Sequence, residues 1–318
     1  MGKLSKISLL ALFISGAIFS SCCSRQSTTL KGEQMTMTYR IVLGRSLSLE
    51  EKQRCEKEIQ ASFHLIDSIY NNWNPESELS KINRAPADIA LPISLELMEF
   101  LKKIDEFYRL SEGRFDPTLG PLKTLWLFHL KRQTLPPQET WEKQYEKVGW
   151  QRILIDFKEK TLTKLHSEVQ LDLCGAIKGH TVDLLLEVCQ RFSPNAYVEW
   201  GGEIKTSGCH PQGRPWCIAS AATTKIIELQ DNAIATSGNY IQTWHVHGET
   251  YTHILDPRTG KPLDLSTYPI HAVSVIHPSC AYADAMATTL MTFTSKSEAQ
   301  AWAEKNNLHV YINDTDAS

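Results

Sequence analysis

Hydrophobic residues recur at helical spacing in two early stretches of the chain. Ser48 and Glu51 have the spacing of a capping box, and five apolar residues between positions 55 and 69 follow at intervals of three or four. A second stretch begins near Ser94 and stops at Gly113, a residue that favours a helix end. The pattern therefore predicts one helix after Ser48 and another between Ser94 and Gly113.

Alternating and β-branched residues predict strands. "MTMTYRIVL" (35–43) alternates nearly throughout, and "ILIDF" and "TLTKL", separated by "KEK", have the form of a hairpin. "VQLDL" (169–173) predicts a strand that ends near Asp172 and leads into a helix, "AIKGHTVDLLLEVCQRF" (176–192).

The rest of the chain mixes short strands with two further helices. Five short strands are predicted at "AYVEW", "WCIASA", "AIATSG", "YTHIL" and "HAVSVI". Helices at 279–293 and about 296–306 precede a closing strand, "HVYI". Hairpins and helices in this order predict an α+β fold, a mixed sheet with flanking helices, because regular βαβ repeats are absent from the pattern.

The N-terminus has the pattern of an export signal. Lys3 and Lys6 precede an apolar run that ends in "FSSC", and such a run is shorter than a confident membrane span. "FSSC" resembles a bacterial lipobox, so we expect residues 1–21 to be a lipoprotein signal peptide and Cys22 to carry the lipid; an ordinary signal peptide cut nearby is the alternative. Residues 22–34 are predicted to be a polar tether. We expect an exported protein held by its lipid anchor on the periplasmic face of the inner membrane.

Composition excludes several classes of protein. The 318 residues carry a formal net charge of −3, which becomes −5 when residues 1–21, with two lysines and no acid, are removed. A nucleic-acid-binding protein would need a basic field that this chain lacks. The 8 cysteines contain no CxxC pair and so predict neither a zinc site nor a disulfide framework. Cys209 and Cys217 flank a turn, and their pairing stays open.

Glycines and charged residues indicate three segments that are candidates for a functional site. In "LDLCGAIKGH" (171–180), glycines and Lys178, placed on the first turn of a helix, suit a phosphate, but the spacing of a P-loop is absent. In "VEWGGEIKTSG" (198–208), Gly201 and Gly202 indicate a tight turn or a backbone pressed against a flat ligand. In "YTHILDPRTGKPL" (251–263), His253 and Asp256 stand near a strand end, where a base would be presented. Each segment alone also fits a purely structural role.

A carboxylate inside an otherwise apolar helix is the fourth feature. In "SCAYADAMATTLMTF" (279–293), Asp284 and Thr288 are four residues apart, so both oxygens leave the same helix face. A buried, unpaired charge is costly, so a partner or a metal is expected. Carboxylate and hydroxyl oxygens suit Mg²⁺ better than zinc. A carboxylate that caps a neighbouring loop is the alternative.

Eight segments, in order from about Met35 to Leu290, together resemble the ApbE family of FAD:protein FMN transferases. "MTMTY" is similar to the family's MGTxY, with Thr36 in place of the usual glycine, and "EGRFDPTLGPLKTLW" (112–126) matches its G-x-F-D-P-T-x-G-P-L-x-x-L-W. The other six are "NNWNPESELSKIN", "LDLCGAIKG", "VEWGGEI", "ATSGNY", "THILDPRTGKPL" and "PSCAYADAMAT". The resemblance implies one ApbE-like domain over residues 35–318, with FAD bound in a cleft.

The resemblance also implies an activity and a set of site residues. The expected reaction is Mg²⁺-dependent transfer of FMN from FAD to a threonine or serine hydroxyl of an exported flavoprotein, with release of AMP. His253 is the expected base, with Asp256 as the substitute. The implied metal ligands are Asp284 and Thr288, with backbone at Gly175 and Ala287. The implied FAD contacts are Met35, Trp73, Arg114, Phe115, Asp116, Asp172, Lys178, Gly201, Gly202 and Ile254. Hydrolysis of FAD to FMN and AMP, and flavin binding without catalysis, are the alternatives.

Overall fold

The computed structural model describes residues 26–240 and 242–314 of the chain. Within them, the helices are α1 (Leu49–Tyr70), α2 (Glu78–Arg84), α3 (Leu95–Leu110), α4 (Gly120–Leu130), α5 (Gln138–Tyr145), α6 (Cys174–Gln190), α7 (Cys280–Leu290) and α8 (Lys296–Lys305). The strands are β1 (Thr28–Gln34), β2 (Met37–Leu43), β3 (Leu91–Pro92), β4 (Ile153–Asp156), β5 (Thr161–Lys164), β6 (Ala196–Trp200), β7 (Glu203–Ser207), β8 (Trp216–Ser220), β9 (Thr223–Leu229), β10 (Ala233–Gly238), β11 (Thr243–Val246), β12 (Glu249–Asp256), β13 (Lys261–Asp264), β14 (Ile270–His277) and β15 (His309–Asp314). Helices and mainly antiparallel sheets confirm the α+β prediction.

A seven-stranded sheet in the order β1-β2-β6-β7-β10-β14-β15 forms the centre of the fold. Its side chains alternate between two layers, as a pleated strand requires. Ile41 and Val198 pack on the side of α1 and α6, whereas Val42 and Tyr197 pack on the opposite side with the β8–β9 hairpin. Both faces of the sheet are therefore covered.

Helix α1 forms as its sequence predicts. The Ser48 Oγ accepts a hydrogen bond from the Glu51 backbone N–H at 3.2 Å, and a Glu51 carboxylate oxygen accepts one from the Ser48 N–H at 2.8 Å. These two bonds satisfy donors that would otherwise be free at the helix start. The apolar face predicted between positions 55 and 69 is buried.

Two sequence predictions near the ends of strands are wrong. Residues 28–34, assigned to the tether, form β1, which pairs with β2 along its whole length. "VQLDL" is not a strand: only Gln170 makes an isolated bridge, to Leu119, and the other four residues have no regular secondary structure. Helix α6 consequently begins at Cys174, so Lys178 lies beyond its first turn.

Helices α6 and α7 pack closely beside the central sheet and form the base of the main pocket. The four alanines of α7 at positions 281, 283, 285 and 287 are fully buried. A Cβ built on Gly179 of α6 would lie 2.3 Å from the Cys280 carbonyl oxygen. Small residues thus let the two helix backbones approach, which places Asp284 deep in the fold.

Within the described residues, no helix has both the length and the apolar character needed to cross a membrane. The expected signal peptide and Cys22 lie outside the described residues.

Candidate active site

A pocket of about 370 Å³ opens between α6, α7, β10 and β12, a volume within the range of small-molecule sites. It gathers residues that are far apart in the sequence. The residues from the sequence prediction that line it are Arg114, Phe115, Asp116, Asp172, Gly175, Lys178, Gly201, His253, Ile254, Asp284 and Thr288.

Asp284 is almost completely buried at the floor of this pocket, with 2% of its surface exposed. One carboxylate oxygen accepts a hydrogen bond from the Gly179 N–H at 3.0 Å, and the other lies 3.7 Å from the Lys178 ammonium. Burial raises the pKa of Asp284, although Lys178 and the Gly179 N–H oppose that shift. A cation at this position would therefore stabilise the carboxylate.

Lys178 is shared between two carboxylates. It forms an ion pair with Glu203, whose side chain is 1% exposed, and faces Asp284 on its other side. Since Lys178 also lines the pocket, its ammonium can contact a bound anion while Glu203 anchors it.

Asp172 and Lys123 form a second charged pair in the pocket wall. Lys123 Nζ lies 2.7 Å from Asp172 Oδ2, and Asp172 Oδ1 accepts a hydrogen bond from the Cys174 N–H at the start of α6. Burial raises the pKa of Asp172, but the Lys123 charge and hydrogen bond outweigh it and the net pKa is lowered. Burial likewise lowers the pKa of Lys123, and Asp172 reverses the direction. Both groups are charged at neutral pH.

Thr288 lies beside Gly175 and next to β10. Its hydroxyl is 3.1 Å from the Ser237 hydroxyl, and a Cβ built on Gly175 would lie 3.7 Å from Thr288 Oγ1. Within 26–240 and 242–314, no group of three or more His, Cys, Asp or Glu side chains could hold a metal. The side-chain oxygens here are the Asp284 carboxylate and the Thr288 and Ser237 hydroxyls. That set fits Mg²⁺, which typically takes one or two carboxylates and completes its shell with phosphate oxygens and water.

His253 projects from β12 into the same pocket. Its Nδ1 is buried and has no hydrogen-bond partner among the described residues. Burial and the Lys123 charge lower the pKa of His253, with a smaller contribution from Lys178, while a contact with the Gln242 backbone acts in the opposite direction. The imidazole is therefore neutral at pH 7, the form in which it can accept a proton.

Asp256 does not line the pocket, and the structure does not support it as a substitute base. Its side chain is fully buried. One oxygen accepts hydrogen bonds from the Arg258 N–H and guanidinium, and the other accepts from Arg258 at 2.7 Å and from the Tyr268 hydroxyl at 2.9 Å. With both oxygens occupied, Asp256 shapes the turn after β12 and has no access to an acceptor.

Arg114, Phe115 and Asp116 form one wall of the pocket. The Arg114 guanidinium lies 3.8 Å from the centre of the Phe293 ring. Asp116 accepts hydrogen bonds from the Thr118 N–H at 2.8 Å and from the Trp150 N–H. Phe115 is buried and lies against Gly175, where a Cβ would be 3.0 Å from its ring. This wall is apolar at Phe115 and polar on either side of it.

Besides Asp256, four predicted site residues lie outside the pocket lining. Trp73 is 90% exposed, and Ala287 is buried within α7. Met35 is half-buried at the tip of the β1–β2 hairpin, and Gly202 has a positive φ of 97° in the β6–β7 turn. Of the three apolar residues expected to contact FAD, Phe115 lines the pocket, whereas Trp73 and Met35 do not.

Sequence reasoning missed several lining residues. Lys123 is the most important because it carries charge, and it lies in "GPLKTLW", a segment whose family resemblance gives Lys123 no role. Ser237 and Tyr240 come from "ATSGNY", and Gln242 follows that segment. A polar cluster at the end of an apolar strand, β10, was the available signal.

Comparison with known proteins places these features in one family. The model of the ApbE family matches residues 35–312. The chain is 63% identical over 292 residues to an FAD:protein FMN transferase of Chlamydia pneumoniae, covering 92% of this chain and 93% of that protein. It is 54% identical over 318 residues to one of Chlamydia muridarum, covering 100% of both.

A solved structure of a flavinyl transferase has a fold similar to that of this chain. The apo form of the flavinyl transferase ApbE of Pseudomonas stutzeri superposes with a TM-score of 0.81 at 28% identity, covering 92% of this chain and 95% of that one. The family match spans nearly the whole described fold. This chain belongs to the ApbE family.

Proposed function

We propose that this protein is an FAD:protein FMN transferase that moves FMN from FAD to a threonine or serine hydroxyl of a second protein and releases AMP, with Mg²⁺ in the pocket. The relatives named above support the enzyme class. The finer parts, which are the metal, the acceptor hydroxyl and AMP, rest on the pocket.

The arrangement of the pocket carries the proposal. A neutral histidine with a buried, unpartnered nitrogen shares one pocket with a carboxylate–hydroxyl pair and two lysines. An alcohol is a weak nucleophile at neutral pH and needs a base in reach. His253 supplies the base, and Lys178 and Lys123 supply positive charge for a pyrophosphate.

The proposed step is a single displacement at phosphorus. The acceptor oxygen attacks the phosphorus on the FMN side of the FAD pyrophosphate and forms a new P–O bond. The bond from that phosphorus to the bridging oxygen breaks, and its electron pair leaves with AMP. The hydroxyl proton passes to His253.

Charge balance favours a metal in this pocket. Asp116, Asp172 and Asp284 line it together with only three cationic residues, and buried Glu203 already pairs with one of these cations. An incoming pyrophosphate would add negative charge. Asp284 and Thr288 would hold Mg²⁺ with backbone oxygen at Gly175, and the metal would neutralise phosphate oxygens as the phosphorus is attacked.

The test of the function uses the full chain with FAD, Mg²⁺ and an exported FMN-binding domain as acceptor. Intact mass measurement should show the acceptor heavier by one FMN residue, and replacing its threonine by valine should abolish the gain. Free FMN and AMP with an unlabelled acceptor would instead identify the protein as an FAD pyrophosphatase.

We also propose that the protein is exported and anchored through lipid on Cys22. The support is the apolar run before "FSSC". The Cys22→Ser variant should move from the membrane fraction to the soluble fraction, with Cys23→Ser as the matched control that stays membrane-bound. A Cys22→Ser protein that still pellets, together with a wild type that carries no acyl mass, would contradict the anchor.

A further inference from the structure

Asp183 lies in the middle of α6, and its carboxylate points at the start of α7. Oδ1 accepts a hydrogen bond from the Cys280 N–H at 2.9 Å, and Oδ2 accepts from the Ala281 N–H at 3.1 Å. The Ser279 hydroxyl donates a third bond to Oδ2 at 3.2 Å. The first turn of a helix has N–H groups without partners inside the helix. A side chain of α6 thus supplies the partners for α7.

A second contact between the same helices lies one turn away. The Gly179 N–H donates to Asp284 Oδ2 at 3.0 Å. The two contacts, Gly179 with Asp284 and Asp183 with Cys280, run in opposite order along the helices, as in an antiparallel pair. Gly179 and Asp183 are four residues apart on α6, and Cys280 and Asp284 are four residues apart on α7, which is about one helical turn in each helix. Together they fix α7 both along and around α6.

The charge of Asp183 is balanced from the central sheet. Lys205 Nζ on β7 lies 2.6 Å from Asp183 Oδ1. Two residues earlier on the same strand, Glu203 pairs with Lys178. Strand β7 therefore pairs with two charged residues of α6, Lys178 and Asp183. An anion at the α7 N-terminus is also stabilised by the helix dipole.

We propose that Asp183 is a positioning residue for the metal-binding helix: it holds α7 where Asp284 and Thr288 face the pocket. This rests on the proposed function, in which these two residues hold Mg²⁺. A displacement of α7 by a few tenths of an ångström would move both ligands together, and metal sites require positions held to within about 0.5 Å. Asp183 does not line the pocket, so its effect on the two ligands is transmitted through α7.

The test measures Mn²⁺ binding directly, with FAD present, from the electron paramagnetic resonance signal of free Mn²⁺. The Asp183→Asn variant keeps the shape but loses one acceptor oxygen and the charge. Its Mn²⁺ dissociation constant should rise by about tenfold, the scale seen when groups supporting metal ligands are changed. At saturating Mg²⁺, its rate of FMN transfer should recover towards that of the wild type.

The matched control is Glu78→Gln, the same chemical change at another helix start. Glu78 accepts hydrogen bonds from the Ser94 N–H at 2.7 Å and the Ser94 hydroxyl at 2.6 Å, before α3 and outside the pocket lining. It should lower the melting temperature and leave Mn²⁺ affinity within about twofold of wild type. An equal loss of Mn²⁺ affinity in both variants would show that Asp183 contributes only to the general stability of the fold, and it would overturn the proposal.

A further variant keeps the test decisive if Asp183→Asn does not fold. Ser279→Ala removes the hydroxyl that donates to Asp183 and that accepts the capping hydrogen bond from the Tyr282 N–H. This variant should raise the Mn²⁺ dissociation constant by about threefold. Wild-type affinity in the folded variant, whether Asp183→Asn or Ser279→Ala, overturns the positioning role. If the wild type binds Mn²⁺ but transfers no FMN, the proposed function is wrong and the comparison of the Asp183 variants is still valid. If the wild type does not bind Mn²⁺, the inference about Asp183 is itself overturned.

Discussion

At the scale of single residues, the pKa values of two pocket groups, His253 and Asp284, are shifted in opposite directions. His253 is held neutral by burial and nearby lysine charges, and Asp284 is a buried carboxylate that burial disfavours as an anion. One group is ready to accept a proton and the other to receive a cation. Groups with perturbed pKa values cluster at functional sites.

Removing the imidazole should slow transfer without weakening FAD binding. We predict that His253→Ala lowers the rate of FMN transfer by roughly 10²–10⁴-fold, the usual contribution of a positioned base. Stopped reactions analysed by acceptor mass give the rate, and flavin fluorescence titration gives the affinity. His245→Ala, on the neighbouring strand and exposed, is the control. Transfer at the wild-type rate in His253→Ala would remove His253 from the reaction.

The same histidine predicts the pH dependence of transfer. Because burial and then Lys123 lower its pKa below the ordinary value of 6.5, the imidazole stays neutral until the pH falls below that value. The rate should therefore be flat from about pH 7 to 8 and fall only on an acid limb with a midpoint below about 6.5. An acid limb centred above 7 would contradict the neutral base. His253→Ala should lack this limb.

Replacing Asp284 by asparagine should separate activity from stability. The amide can still accept the Gly179 hydrogen bond, but it does not place a negative charge in the interior. Above the ordinary carboxyl pKa, the raised pKa of Asp284 means that its ionised form costs stability, and the variant is spared this cost. We expect a free energy of unfolding without metal that is equal or higher, within about 1 kcal/mol.

Transfer by Asp284→Asn should fall by at least about 100-fold, since a metal that neutralises phosphate is worth several kcal/mol. Chemical denaturation and the mass assay with and without Mg²⁺ measure the two effects. Asp88→Asn, the same change at an exposed turn, should alter neither. If the Asp284→Asn variant retained Mg²⁺-dependent transfer, Asp284 would be excluded as a ligand of Mg²⁺.

At the scale of elements, the β1–β2 hairpin stores strain at its tip. Gln34 pairs with Met37, so Met35 and Thr36 form a two-residue turn, and both have positive φ, 50° and 62°. Such turns favour asparagine, aspartate and glycine, whereas a β-branched residue is strained there. The hairpin packs against the pocket rim, because a Cβ on Gly201 would lie 2.8 Å from Met37 Sδ.

Relieving this strain should stabilise the protein. We predict that Thr36→Gly raises the free energy of unfolding by up to about 1 kcal/mol, since the left-handed conformation costs an L residue roughly 1–2 kcal/mol and the added freedom of glycine when unfolded offsets part of the gain. Thr38→Gly, within β2, should lower it by about 0.5–1 kcal/mol. Urea titrations of both variants compare them, and a destabilised Thr36→Gly would show that the turn is not strained.

Local chemistry explains which elements the sequence could predict. The capping box at Ser48 and the apolar periodicity behind it depend only on neighbours within a few turns, and they gave α1 correctly. "VQLDL" has real strand propensity but lacks a neighbouring strand to complete a ladder, and propensity alone does not create one. Residues 28–34 looked like a tether because their pairing partner, β2, covers them with hydrogen bonds that composition does not reveal.

The candidate site shows a similar division. Spacing alone suggested that Asp284 and Thr288 share a helix face, and both line the pocket. The sequence left Asp256 as the substitute for His253, because the hydrogen bonds from Arg258 and Tyr268 that occupy its carboxylate are a tertiary effect. Lys123 was overlooked for the same reason: its partner Asp172 is 49 residues away in the chain.

At the scale of the whole molecule, the site exists only because distant segments converge. The order of the central sheet places β2 beside β6 and β14 beside β15, connections that no local pattern encodes. The family resemblance predicted a mixed sheet with a cleft for FAD, but it gave no strand order. Helix α7, held by α6 and bordered by β10, is where the segments meet, and it carries the residues on which the proposed chemistry depends.

The most direct test of the central claim is the ratio of products in one reaction. The full chain, FAD, Mg²⁺ and an acceptor domain are incubated together, and AMP, free FMN and protein-bound FMN are quantified from the same sample. Mg²⁺-dependent transfer of FMN predicts one AMP for each FMN attached to the acceptor and no AMP when Mg²⁺ is chelated. AMP matched by free FMN, with the acceptor unlabelled, would contradict it.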